Sequence, residues 1–356
     1  MLTTGITTPN CLVNLSKKKY LMPFSHCFIT AGERRFTIFD SSKGKLHRFD
    51  NIFYDFLIRA RHIYAYTLIK EHAAGHNAIY QFVEFLINEE LATFVSNVKI
   101  FPSINEDWEF CGHIKSLMID IRNIWHDLDA ILSQLSHLMC KELEIRSYRV
   151  LSMSEIQEIS MCVSKYDIDT VILIIPYDVN FQNPQVLGTI NNLIENDYRL
   201  RFLFYGLSEE EYKIMDDIKC EFGPLFFNVS LSMTQITGPE CCGNIDISKF
   251  HSLNIQSYME NKLYNSCLNK KISIDENGDI KNCPSMKKKW GNISSKRLLD
   301  VYYDENFQSI WKMSNSKVND CKNCEFRCIC LGCRAYVMDS QDFFSKPSKC
   351  SYNPFI

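Results

Sequence analysis

The chain lacks a long apolar run. Its longest, VILIIP at Val171–Pro176, falls far short of the ~20 residues a bilayer-spanning helix needs. It also lacks a charge of one dominant sign: the formal net charge of −3 gives no electrostatic case for nucleic acid or an anionic membrane as main partner. Glycine and proline are scarce, at 13 and 10 of 356 residues, and no repeat or low-complexity segment is present, which leaves a folded protein of two or three domains. The opening MLTTGITTPNCLVNLSKKKY has no charged region followed by an apolar stretch, so it does not read as a signal peptide, and a cytoplasmic location is expected. Hydrolytic and phosphate-binding motifs are missing too: no G-x-S-x-G, no G-x4-G-K-[ST] and no G-x-G-x-x-G.

Cysteine, by contrast, is abundant, with 16 residues. A reducing compartment argues against a disulfide framework. Cys11, Cys27, Cys111, Cys140, Cys162 and Cys220 are scattered, and each reads as a small buried apolar residue. The remaining ten follow residue 240 and mark a C-terminal module.

Hydrophobic patterning gives the expected elements. HCFIT (His26–Thr30) and RFTIFD (Arg35–Asp40) alternate with period two around the turn-like AGER, as hairpin strands do. Helical spacing follows over 51–68 and 77–88, then a short strand LATFV at Leu91–Val95. FPSINEDWEF marks a boundary. Beyond it HIKSLMIDI, ELEIRSY, TVILIIPYDV, RLRFLFYG and FFNVSLSM read as strands separated by helices over about 128–141, 154–164, 184–195 and from SEEE. Apolar strands alternating with helices indicate a parallel sheet of βα units. The expected class is α/β, with an N-terminal winged-helix-like α+β unit over 1–103, an incomplete (β/α) barrel-like sheet over 104–238 and a cysteine-rich module over 239–356.

Within that module, KISIDENGDIKN reads as a β-hairpin about an Asn-Gly turn. A hairpin brings its ends together, so Cys267 and Cys283 become neighbours. Then comes Cys321-x2-Cys324-x5-Cys330-x2-Cys333, with Cys350 beyond. Paired C-x2-C thiols on turns point at one ion or cluster iron. A structural zinc commonly takes two C-x2-C pairs separated by a longer stretch. Thiols crowded into one short loop with a remote fourth ligand suit iron–sulfur better, and zinc stays open.

These segments carry a resemblance. The cysteine order, GDIKNCP and KPSKCSYNP resemble the SPASM domain, a C-terminal extension of radical SAM peptide-modifying enzymes that carries two auxiliary [4Fe–4S] clusters. More narrowly, NSCLNKKISIDENGDIKNCPSM with CEFRCICLGCRAY is similar to the SPASM-domain maturases of grasp-with-spasm peptide systems, and HCFI…RRFTIFD and FLINEELATF…FPSI extend the likeness to the N-terminal half. RFTIFDSSKGKLHRFDNIFYDFL followed by FVEFLINEELATFV is similar to the small winged-helix domains of the PqqD family, which recognise leader peptides. The resemblance implies one cluster on Cys321, Cys324, Cys330 and Cys350. It implies a second on Cys267, Cys283, Cys333 and Cys242, with adjacent Cys241 as a rival for the last place. Cys328 falls outside the pattern as a packing residue. The spacing of Cys330 and Cys333 is one residue shorter than in the wider family, which leaves the role of Cys333 open. The implied partners are a precursor peptide, bound as an added strand, and an ATP-grasp ligase; homo-oligomerisation is left open.

One feature of that family is missing. Radical SAM enzymes hold their initiating cluster with C-x3-C-x2-C, yet between Cys27 and Cys220 no two cysteines lie closer than Cys140 and Cys162. S-adenosylmethionine is therefore not an expected cosubstrate, and enzymatic activity is undecided. Three readings follow: an accessory maturase working with the ligase, a peptide-modifying enzyme acting at an open auxiliary-cluster iron, or a zinc-stabilised interaction protein. His72 and His76, four apart in EHAAGH, read as solvated. Lys287–Lys289 reads as a solvated face with a minor reading as an acidic-peptide contact, and Asp120, Asp127 and Asp129 show no pairing in the sequence.

Overall fold

A computed structural model describes residues 18–71, 76–222, 227–247, 250 and 254–356. Cys11 and His72, and the side chains of His76 and Cys220, lie outside the described residues. Alternating apolar residues build five short N-terminal strands: β1 (Tyr20–Pro23), β2 (Cys27–Ala31), β3 (Arg35–Asp40), β4 (Lys45–Asp50) and β5 (Ala92–Val95). β2–β3–β4 form an antiparallel sheet and β1 pairs with β5. Helices α1 (Ile52–Arg59), α2 (Ala65–Glu71) and α3 (His76–Asn88) cover one face, packing Phe56, Leu57, Leu68 and Phe82 against Phe36 and Ile38. The single helix expected over 51–68 is thus two helices.

The larger unit is a seven-stranded sheet. Its strands are β6 (Ser116–Ile121), β7 (Glu142–Ser147), β8 (Thr170–Pro176), β9 (Leu200–Tyr205), β10 (Val229–Ser232), β11 (Lys271–Ile274) and β12 (Ile280–Lys281), in the order β10-β9-β8-β7-β6-β11-β12. All neighbours are parallel except the β11–β12 hairpin. The architecture is the α/β class that patterning indicates, with one addition: the cysteine-bearing hairpin joins the central sheet, because β11 pairs with β6.

Register explains why the hairpin docks there. Val229, Phe202, Leu173, Ile145, Ile119, Ile274 and Ile280 lie opposite one another on successive strands. All are buried, so one apolar rib crosses the whole sheet. Helices α4 (Leu128–Leu132), α5 (Leu135–Leu138), α6 (Met153–Val163), α7 (Pro184–Asn196) and α8 (Glu209–Phe222) connect the parallel strands. α6 starts at a capping box in which Ser152 and Glu155 satisfy each other's backbone amides. α7 starts with Asn183 as cap and Pro184 in its first turn. The helix expected over 128–141 is broken at Ser133–Gln134 and ends on Met139, whose φ of 50° is left-handed. No helix among the described residues is long and apolar enough to cross a membrane.

The chain then folds back. Helix α9 (Ile255–Leu263) packs Tyr258 and Met259 with Phe28 and Phe39, on the opposite face of the β2–β3 hairpin from its helices, and with Phe326 and Cys328. The hydroxyls of Thr30 and Tyr258 meet at 2.8 Å, and Thr37 donates to the Glu325 carbonyl at 2.9 Å. Glu33 N donates to Asn323 O at 2.8 Å. Gly32 sits so close that a Cβ would lie 2.6 Å from the Glu325 amide nitrogen. The N-terminal sheet and the cysteine loop are therefore directly packed. Cys328 is a buried member of that contact, matching its reading as a packing residue.

Candidate metal centres

The C-terminal cysteines gather around two cavities. The first, about 370 Å³, is lined by Cys242, Cys267, Cys283, Cys330 and Cys333. Pairing of Ser273 with Lys281 and Ile274 with Ile280 closes the hairpin that brings Cys267 and Cys283 to one end. Cys333 is delivered by the turn at Gly332, whose carbonyl accepts from Asn265 Nδ2 at 2.7 Å. Cys242 follows the short turn at Pro239–Cys241, and its carbonyl accepts from Lys349 Nζ at 2.8 Å. Cys241 does not line this cavity; the Thr237 amide and hydroxyl lie 3.4 and 3.5 Å from its sulfur and hold its pKa below the ordinary thiol value.

The second cavity is narrow, about 30 Å³, and Cys321, Cys324, Cys330 and Cys350 line it. Local turns position these thiols: Cys324 N donates to Cys321 O at 3.0 Å, and Cys330 N to Phe326 O at 2.9 Å. Buried Asn315 clamps the loop, its Nδ2 donating to the carbonyls of Arg327 at 2.9 Å and Cys330 at 2.6 Å. A parallel bridge between Ile245 and Cys350 ties the strand after Cys242 to the last cysteine. Cys330 lines both cavities, so the two groups are adjacent.

Electrostatics are those of buried thiols. Burial pushes Cys267 and Cys330 up to about 12 and Cys321 to about 11, and it raises Cys283 and Cys324. Such groups stay neutral and inert unless a cation displaces the proton. Burial pulls Lys271 down, but Cys267, the Glu144 carboxylate, Cys283 and Cys242 beside it leave it raised overall.

Three observations bear on what fits. A tetrahedral zinc with Zn–S near 2.3 Å holds its sulfurs about 3.8 Å apart. No three of these thiols come that close: among the described residues, the one set of three His, Cys, Asp or Glu ligand atoms all within 4.8 Å of one another is His26, Cys27 and Asp40. As placed, these thiols are not gathered on a single zinc-sized point. Arg334 donates through Nε to Cys333 O and through Nη1 to the carbonyls of Phe343 and Ser345. Its Nη2 is buried with no partner among the described residues, a donor suited to an inorganic sulfide. Gly243, at φ 86°, lies where a Cβ would come within 3.0 Å of Cys333 Sγ, so the backbone itself hugs the first cavity.

Elsewhere the candidates read from the sequence have structural roles. Asp120 accepts from Arg146 Nε and Nη2 at 3.0 and 2.8 Å and from Tyr148 at 2.6 Å. Asp127 caps α4, and Asp129 pairs with Lys165 and Tyr166. Lys287, Lys288 and Lys289 are exposed, with Lys288 Nζ 3.8 Å from the Trp290 ring centre. Of the scattered cysteines, Cys27, Cys140 and Cys162 are buried as expected, whereas Cys111 is exposed. The grouping of Cys27 with His26 and Asp40 was not read from the sequence. Its one trace there is the hairpin register, which sets Cys27 opposite Asp40.

Fold and site together define an α/β protein whose C-terminal region gathers its cysteines around two adjoining cavities. Among solved structures the chain is similar to SuiB of Streptococcus suis bound to S-adenosylmethionine, at 12% identity and a TM-score of 0.41, covering 93% of this chain and 100% of that one. It is likewise similar to SuiB bound to the precursor peptide SuiA, at 13% identity and a TM-score of 0.44 with the same coverage. Likeness at that level carries no argument about what this chain does. No protein-family model and no curated protein matches the chain.

Proposed function

We propose that the chain is an accessory maturase in ribosomal peptide modification. Its C-terminal module holds two [4Fe–4S] clusters, one on Cys242, Cys267, Cys283 and Cys333 and the other on Cys321, Cys324, Cys330 and Cys350. Its N-terminal unit binds a precursor peptide, which it presents to an ATP-grasp ligase. The observation that carries the metal part is the gathering of these thiols around two adjoining cavities, with no three of them, among the described residues, as close as one zinc ion requires. Cys242 is preferred over Cys241 because it lines the first cavity while Cys241 is turned to Thr237. The peptide and ligase rest on the sequence resemblance. The outer edge of β4 in the three-stranded sheet, which pairs with no strand among the described residues, supports strand addition as the mode.

When bound, the clusters would supply electron-transfer or Lewis-acid capacity. The chain's own residues do the rest: buried turns fix the thiols, Arg334 offers a hydrogen-bond donor, and Lys271 supplies positive charge beside the first group. The exposed Cys242 and the 370 Å³ volume favour a second reading, in which the first cluster acts on peptide directly. Anaerobic co-purification with candidate precursor peptides from the same genome tests the proposal. Capture of the peptide is expected, and failure by the cluster-loaded protein contradicts the binding role. A mass change in the peptide with reductant but without ligase would establish the second reading.

A further inference from the structure

We propose that His26, Cys27 and Asp40 form a divalent transition-metal site in the N-terminal unit, with zinc as its best-fitting occupant. The three ligand atoms all lie within 4.8 Å of one another, although they come from the turn before β2 and the end of β3. The hairpin makes this inevitable: Cys27 and Asp40 are register partners, so their side chains leave the sheet on the same face. His26 is held at the corner by its own carbonyl, which accepts from Ser41 N and Oγ, each at 3.0 Å, and by stacking on Phe24 at 5.5 Å.

The independent sign of a missing ligand is the Asp40 carboxylate. The residue is fully buried. Its Oδ1 accepts from Ser42 N at 2.9 Å, Ser42 Oγ at 2.6 Å and Lys43 N at 3.1 Å, but Oδ2 has no partner among the described residues. A buried carboxylate oxygen without a donor is strongly disfavoured. Among the described residues no donor reaches that oxygen; His26 Nε2 lies 3.7 Å from the other one, Oδ1, at ion-pair but not hydrogen-bond distance. The Lys43 ammonium is engaged by the Glu89 carbonyl at 3.0 Å and the Glu90 carboxylate at 2.9 Å. A cation held by the three side chains would bind this carboxylate and offset the cost of its unpartnered oxygen.

Donor chemistry selects the metal. One thiolate, one imidazole and one carboxylate suit zinc, whereas calcium and magnesium demand all-oxygen shells. Three protein ligands leave a fourth position, which a water takes. Cys27, with Phe24 and Ser25, also borders a cavity of about 500 Å³ between the N-terminal unit and the chain around Phe101–Glu106, so that water has a route in.

The test uses the full chain, purified anaerobically with its C-terminal thiols loaded, incubated with zinc chloride and desalted. Zinc per chain is compared between wild type, Asp40→Asn and His26→Gln. The expected result is about one zinc fewer in each variant, with iron and sulfide unchanged, and a wild-type zinc absorption edge showing one sulfur among nitrogen and oxygen neighbours. Equal zinc in all three proteins, or an all-sulfur shell alone, overturns the proposal. Should Asp40→Asn fail to fold, His26→Gln decides, since His26 is partly exposed. Because the readout is a difference between variants, metal of either kind at the C-terminal cysteines cancels, and the result is independent of the cluster reading.

Discussion

Gly243 and Gly332 show how single positions set the thiol geometry. Gly332 has φ 59°, and a Cβ there would meet Asn315 Oδ1 at 1.9 Å, displacing the side chain that clamps Arg327 and Cys330. Gly332→Ala should therefore cost metal at both groups, read as iron per chain falling to less than half. Gly243→Ala, with its left-handed backbone and Cβ pressed on Cys333 Sγ, should affect the first group only. The left-handed strain costs about 1–2 kcal/mol, and roughly half of the bound iron should be lost. Glu155 illustrates a residue with a structural task. Its hydrogen bonds from Arg149, at 2.5 and 3.1 Å, hold its carboxyl down at about 2. A carboxylate with a depressed folded-state pKa stabilises above its unfolded value of about 4.3 and loses that contribution as pH falls towards the folded one. Glu155→Gln should lower stability by about 1 kcal/mol at neutral pH, and denaturant midpoints of the two proteins should converge near pH 2. A gap that persists there contradicts the assignment.

At the level of elements, the β11–β12 hairpin couples the sheet to the cysteines. Ile274 sits in the apolar rib between Ile119 and Ile280, so Ile274→Ala should destabilise by about 2–5 kcal/mol and release metal from the Cys267–Cys283 group as the hairpin loosens. Thermal melting and iron content measured together check this, and a melting shift without metal loss would uncouple the two. Asp120→Asn leaves Arg146 buried without its carboxylate, at a cost of about 3–5 kcal/mol, visible as a lower denaturant midpoint.

The parallel strands and the hairpin were legible because their patterns are local: period two, apolar runs and an Asn-Gly turn. β4 was not, since KLHRFD carries four titratable side chains, Lys45, His47, Arg48 and Asp50, on an edge strand with no fully buried residue. The two breaks, after Arg59 and at Ser133–Gln134, interrupt sequences whose apolar spacing continues through them, so periodicity does not register them. Docking of the hairpin on β6 is a long-range register choice that no local pattern encodes. For the same reason the neighbourhood of His26 with Asp40 emerges only from the fold, and that of Cys242 with Cys267 is expected through the family resemblance and through no local pattern.

Taken whole, the molecule places its N-terminal sheet directly against the cysteine loop, through Thr30–Tyr258 and Thr37–Glu325. Under the proposed function, a peptide held by that sheet would lie on the unit that packs against the thiol groups. The central sheet is the frame for both: β11 and β12 carry Cys267 and Cys283 at one edge, and the fold-back through α9 returns the chain to the N-terminal unit. The central claim is that these thiols bind clusters. Its most direct test is iron and acid-labile sulfide per chain in anaerobically reconstituted protein, with the visible spectrum. About eight of each, as two four-cysteine [4Fe–4S] sites require, in a brown protein is the predicted result. A colourless protein carrying zinc without sulfide at these cysteines would contradict it.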